Sequence, residues 1–102
     1  ARVGVALDTS HILNGGATME RALRTYGERV QHVHLRDWRA GSIQVVPGEG
    51  DIDFRAFFQG LRAIGYQGDF NLELELPNTD VEQYRAATRR AATHLRPLLD
   101  GG

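Results

Sequence analysis

Three residues with metal-binding side chains stand toward the ends of successive apolar runs: Asp8 in RVGVALD, His34 in VQHVHLR and Glu73 in FNLELEL. Two carboxylates and an imidazole, with no thiolate, form a hard-to-borderline donor set suited to Mn²⁺, Mg²⁺, Co²⁺ or Zn²⁺. The competing reading is structural: an aspartate that closes a strand can cap the turn that follows. His11, three residues after Asp8, belongs to the rim of such a site, as a substrate or metal ligand or as a turn cap. Arg36 follows the second run at its exit, where a guanidinium binds a substrate oxygen or phosphate, or else pairs with a neighbouring carboxylate. Glu75 repeats the Glu73 pattern one pleat nearer the rim, where it binds substrate or faces solvent, the second reading being preferred. His32 lies one pleat deeper than His34, about 7 Å, and is read as a histidine that supports the ligands or packs in the interior, in preference to a ligand. Glu49 reads as a turn residue, and Arg89 and Arg90 as a solvated helix face.

The elements that would position these residues follow from spacing. Met19, Ala22, Leu23 and Tyr26 recur at helical intervals behind a Thr18 N-cap. Phe54, Phe57, Phe58 and Leu61 do the same behind Asp53, and a long helix opens at Thr79-Asp-Val-Glu82, read as a capping box. Its stripe runs Val81, Tyr84, Thr88, Ala91 and Leu95, until Pro97 disturbs the end. Strands over 2–8, 30–36 and 70–76 alternate with these helices, which implies right-handed βαβ units and a parallel sheet in the order of the chain. Side chains alternate along a strand. Val3, Val5 and Leu7 therefore oppose Gly4, Ala6 and Asp8. Val33 and Leu35 oppose Val30, His32, His34 and Arg36, and Phe70, Leu72, Leu74 and Leu76 oppose Asn71, Glu73 and Glu75. A doubly wound sheet buries both faces and reads apolar throughout. One apolar and one polar face fit the wall of a (β/α) barrel, whose active site lies at the C-terminal strand ends. Val5, Val33, Leu72 and Leu74 are expected beneath the helices.

Composition narrows the function. The chain has 102 residues, no cysteine, and twelve basic residues against thirteen acidic ones, for a net charge of −1. All the basic residues are arginine, so this segment holds neither a Schiff-base lysine nor a P-loop lysine. Without cysteine it has no disulfide framework and no thiol nucleophile. The balanced charge argues against a nucleic-acid partner. No apolar run approaches the roughly 18 residues of a membrane span, and the expected location is cytoplasmic. A homo-oligomer is left open.

Four runs in order, VGVALDTSHILNGG, HVHLRDW, VPGEGDIDF and GYQGDFNLELE, resemble the xylose-isomerase-like TIM barrels. Within them the chain looks most like the sugar phosphate isomerase/epimerase group, which includes the ketose 3-epimerases and inosose dehydratases. The resemblance covers residues 2 to 76, with the last helix following. It implies that Asp8, His34 and Glu73 are metal ligands, that His11 holds a substrate oxygen, and that Glu73 also exchanges protons with the substrate. A second catalytic glutamate of the family has no counterpart here. The arginine that follows the histidine strand in the epimerases has no match at its offset, although Arg36 and Arg39 lie close.

The chain thus resembles the last three βα units of an eight-unit barrel of about 200 to 250 residues. The parent is expected to be longer, and the piece alone inactive. The expected activity of the intact protein is divalent-metal-dependent isomerisation or epimerisation of a sugar, sugar phosphate or related polyol ketone through an enediolate. An inosose-dehydratase-like lyase is a close variant. An apurinic-endonuclease-like phosphodiesterase is the weaker alternative, because the loop AGSIQVVPGEGDID lacks the further histidine that such a zinc cluster uses. A degenerate, non-enzymatic barrel is disfavoured by the occupied ligand-type positions.

Overall fold

The computed structural model describes residues 3–100, so Arg2 at the start of the first expected strand lies outside it. The elements run β1 (Val5–Asp8), α1 (Thr9–Asn14), α2 (Met19–Tyr26), β2 (Val30–Leu35), β3 (Asp37–Arg39), β4 (Ser42–Val45), α3 (Phe54–Ala63), β5 (Phe70–Leu72) and α4 (Val81–Leu99). β1, β2 and β5 form a parallel sheet in that order. Each is joined to the next by a helical crossover, as in the wall of a (β/α) barrel.

The two-faced character of the strands is realised. Leu7, Val33 and Leu35 join Ala22 and Leu23 of α2, Phe54, Phe57, Phe58 and Leu61 of α3, and Leu95 of α4 in one buried cluster. Phe58 meets Phe70 edge-on, with ring centroids 5.2 Å apart. Burying a side chain of this size contributes roughly 1.5–3 kcal/mol, so α3, with four such residues, is the main anchor of the sheet. A smaller cluster of Val46, Ala87 and Ala91 receives Leu72, Leu74 and Leu76.

Several expectations are corrected. Val30 is buried in the main core instead of sharing the polar face with His32. The register slips between the Val5–Val30 and Ala6–His32 pairs, and this irregularity breaks simple alternation. Val5 is half-buried and Val3 is 92% exposed, because β1 is an edge strand. β5 is shorter than the apolar run suggested, although the Glu73 amide donates to the Leu35 carbonyl at 3.1 Å and extends the pairing by one step. The capping box of α4 is formed by Asp80 and Gln83, while the Thr79 hydroxyl donates to the Pro77 carbonyl. Val81 is exposed, and Ala87, Ala91 and Leu95 form the buried stripe. Pro97 lies within the helix without ending it.

The loop after β2 contains an antiparallel hairpin, β3–β4, that the sequence did not announce. Its two-residue turn places Ala40 at φ +49° and Gly41 at φ +84°, the geometry that favours Asn-Gly. Alanine in this region costs about 1 kcal/mol or more. Ala40→Asn is therefore expected to raise the unfolding free energy by about 0.5–1 kcal/mol and Ala40→Val to lower it. Thermal denaturation of the two variants measures this.

Candidate active site

The site is built on the backbone at the exits of the three parallel strands. Asp8 of β1 lies beside His34 of β2, and His34 lies beside Asn71 of β5. Glu73 and Arg36 are the next polar-face residues beyond that row. Thr9, fully buried, ties β1 to β2: its hydroxyl donates to the Arg36 carbonyl at 2.5 Å and accepts from the Arg36 amide at 3.0 Å. Both backbone groups of Arg36 are therefore fixed by one side chain.

Asp37 fixes the other side. Its carboxylate has no exposure. Oδ1 accepts from the amides of Trp38 and Ile52, and Oδ2 from those of Gly48 and Gly50, at 2.8–3.1 Å. The carboxylate charge is thus met by backbone donors, which lets it be buried without a cation. The loop over residues 46–52 folds around it. A Cβ at Gly50 would lie 2.4 Å from Asp37 Oδ1, and one at Gly48 would lie 2.6 Å from the His94 ring of α4. Gly48 also has φ +101°. The glycines of PGEG are therefore required by close approach, and Glu49 between them pairs with Arg90 of α4 at 3.0 Å. The Trp38 indole N–H donates to Asn14 at 3.2 Å and ties the end of α1 to the hairpin.

On this scaffold the side chains of the sequence-derived site are placed as follows. Glu73 meets His34, with Oε1 2.9 Å from Nδ1, and its Oε2 lies 2.6 Å from an Arg36 terminal nitrogen. Arg36 also faces Glu75 at 3.6 Å, so the arginine takes the carboxylate-pairing role and Glu75 is not wholly given to solvent. His32 stacks edge-on against His34, with ring centroids 4.7 Å apart, and its Nε2 is 2.9 Å from the Asn71 amide. Asp8 is turned toward α1, where its Oδ1 accepts from the Ser10 amide and hydroxyl and from the His11 amide. It is the N-cap of that helix. Its Oδ2 faces His11 Nε2 at 3.9 Å, and His11 is largely exposed.

Asp8, His34 and Glu73 thus share one strand edge without forming a gathered cluster. Among the described residues no three His, Asp or Glu side chains converge on a common point. The chemistry of the donors nonetheless fits a divalent cation. His34 Nδ1 and Glu73 Oε1, 2.9 Å apart, are an imidazole nitrogen and a carboxylate oxygen, donors of the hard-to-borderline kind that suit such an ion. Asp8 keeps one oxygen beyond the cap.

Burial pushes the Asp8 carboxyl up. The Ser10 hydroxyl, the His11 amide and the positive fields of His11 and Arg36 outweigh it, so the carboxyl lies below its ordinary value. Thr9, Ser10 and Asp37 were not identified from sequence as parts of the site. The available signal was a run of small hydroxyl residues just past a strand end, and an aspartate ahead of a loop with two glycines.

Against known proteins, the sequence profile of the xylose isomerase-like TIM barrel matches residues 1–98. The chain belongs to that family. The curated relatives of this barrel segment include the inosose dehydratase of Geobacillus thermodenitrificans, 32% identical, with 72% of this chain and 31% of that protein covered. That of Clostridium tetani is 33% identical over 67% of this chain and 29% of its own length. Among solved structures, the 3-keto-D-glucoside 4-epimerase of E. coli in apo form superposes with a TM-score of 0.66 at 30% identity, covering 88% of this chain and 33% of that one. A xylose isomerase domain protein from Planctomyces limnophilus gives 0.78 at 28%, covering 93% and 37%. The chain spans about 30% of the length of the curated relatives it matches. Among the described residues no helix is long and apolar enough to cross a membrane.

Two outcomes follow from this geometry. Asp37→Asn keeps the shape but turns an N–H₂ group toward backbone donors. With an unsatisfied buried group costing about 1–3 kcal/mol, the variant should lose about 2–4 kcal/mol in urea unfolding, followed by the fluorescence of Trp38. Asp8, whose folded value is lowered, stabilises the fold above its unfolded value near 3.9, and that contribution is lost as pH falls through the folded value. In Asp8→Asn, which retains a cap, the loss of melting temperature between pH 7 and pH 3 in metal-free buffer should be smaller than in the parent.

Proposed function

We propose that this segment supplies one side of the active site of an enzyme acting on a ketose or a polyol ketone, in which Glu73 transfers a proton at the carbon next to the carbonyl. The observation that carries this reading is the Glu73 carboxylate at the exit of β5, held on one oxygen by His34 and on the other by Arg36. A carboxylate fixed in this way, on the polar face and at the catalytic end of a barrel strand, is a general base with defined direction. The names of the relatives support the substrate class. Dehydration of an inosose and epimerisation beside a ketone both begin with removal of a proton α to a carbonyl.

In this reading Glu73 takes the α-proton and returns it or passes it on. His11, exposed on α1 beside Asp8, binds a substrate oxygen. His34 holds Glu73 toward the reacting carbon, and the α1 cap on Asp8 keeps that carboxylate at the strand end. Asp8, His34 and Glu73 would hold a divalent ion, which when bound would polarise the carbonyl and lower the pKa of the neighbouring C–H. A dehydratase is the second reading, favoured by the identity to inosose dehydratases. Both reactions share the first proton transfer, and they differ in whether a hydroxyl then leaves.

The test is Glu73→Gln in the full-length protein. The amide keeps the size and removes the basicity. Incorporation of solvent deuterium at the substrate α-carbon is expected to fall by about 10²–10⁴. Glu75→Gln should lower it far less, because Glu75 is 62% exposed and 3.6 Å from Arg36. Exchange that persists in Glu73→Gln contradicts the assignment. A new C-epimer among the parent's products marks the epimerase, and an unsaturated or deoxygenated ketone marks the dehydratase.

A further inference from the structure

We infer that Arg36 is a positioning residue: it acts on the reaction through Glu73, by fixing the orientation of that carboxylate, and does not bind the substrate. The inference rests on the reading of Glu73 as the proton-transfer group. The arginine is 5% exposed. One terminal nitrogen is 2.6 Å from Glu73 Oε2 and the other 3.6 Å from Glu75 Oε2. Its Nε is buried and has no hydrogen-bond partner among the described residues. Such a guanidinium presents no free edge to a ligand.

What it does present is a rigid planar fork shared by two carboxylates, one terminal nitrogen toward Glu73 and the other toward Glu75. A glutamate side chain has three rotatable bonds, and Glu73 is 37% exposed, so packing alone does not hold it. His34 on Oε1 and Arg36 on Oε2 restrain both oxygens. The direction of the Arg36 side chain is in turn set from below. Thr9 holds its amide and its carbonyl, and the next residue, Asp37, is fixed by the amides of Trp38, Gly48, Gly50 and Ile52. The unpartnered Nε is informative as well. A buried donor left unsatisfied is unfavourable, and such a local cost is commonly found at functional sites. A lysine would avoid the orphaned Nε but could not offer a planar fork.

The experiment uses the full-length protein with Arg36→Lys and Arg36→Met, and reads solvent-deuterium incorporation into a ketose or inosose substrate as kcat and KM separately. A positioning role predicts that kcat falls at least tenfold in Arg36→Met and less in Arg36→Lys, with KM within about threefold of the parent. A KM that rises with kcat retained makes Arg36 a substrate ligand and overturns the inference. Should Arg36→Met fail to fold, Glu75→Gln, altered at an exposed position, tests the same fork. It should lower kcat modestly at constant KM, and a change confined to KM counts against the proposal. If the parent shows no exchange with either substrate class, the activity reading fails, and the positioning claim is then decided by the crystal structure of Arg36→Lys. A Glu73 carboxylate turned away from His34 supports it, and an unmoved carboxylate overturns it.

Discussion

The exit of β2 is the point on which the rest of the site depends. Arg36 is held there between two fully buried polar side chains, Thr9 from the β1 side and Asp37 from the loop side. Thr9 fixes how far the ends of β1 and β2 stand apart. Asp37 gathers the amides of the following loop and so determines where the hairpin returns and where α3 begins, since Ile52 and the Asp53 cap of α3 lie directly beyond it. A buried carboxylate surrounded by backbone donors is strongly stabilised and specific in direction. Moving it would leave several amides without partners at once.

From that point the layers follow. On the apolar side, Leu7, Val33 and Leu35 rest on the phenylalanines of α3 and on Leu95 of α4. On the polar side, His32 pairs with Asn71, and His34 and Arg36 both pair with Glu73. The helical layer makes the sheet stable, and the polar row makes its other face usable. The loop after β2 joins the two sides, because Glu49 and Gly48 meet Arg90 and His94 of α4 while Asp37 holds the loop from within. The outer layer and the exit of β2 are thereby joined through one loop.

Much of this was legible in the sequence, for physical reasons that differ by residue. Strict alternation placed Asp8, His34 and Glu73 on one face, and short-range capping chemistry placed Thr18 and Asp53 at helix starts, as the structure shows. Features set by longer-range geometry were not legible. The slip beside Val30 depends on the pairing of two strands. The hairpin turn uses Ala40 where an asparagine would have signalled it. Asp37 finds three of its four amide partners 11 to 15 residues away through the fold of a loop. The α4 cap moved by one residue because Asp80 and Thr79 compete for it locally. Asp8 shows both of its readings at once, since it caps α1 and lies beside His34 at the strand edge.

In the proposed function, the exits of β1, β2 and β5 form one ligand-binding centre in which the His34 imidazole takes part. The most direct measurement is pulsed electron paramagnetic resonance of the full-length protein titrated with Mn²⁺, read for directly coordinated imidazole nitrogen. A histidine nitrogen coupling is expected that disappears in His34→Gln and remains in His32→Asn. A coupling that survives His34→Gln, or bound Mn²⁺ indifferent to Asp8→Ala, His34→Gln and Glu73→Gln alike, would contradict it.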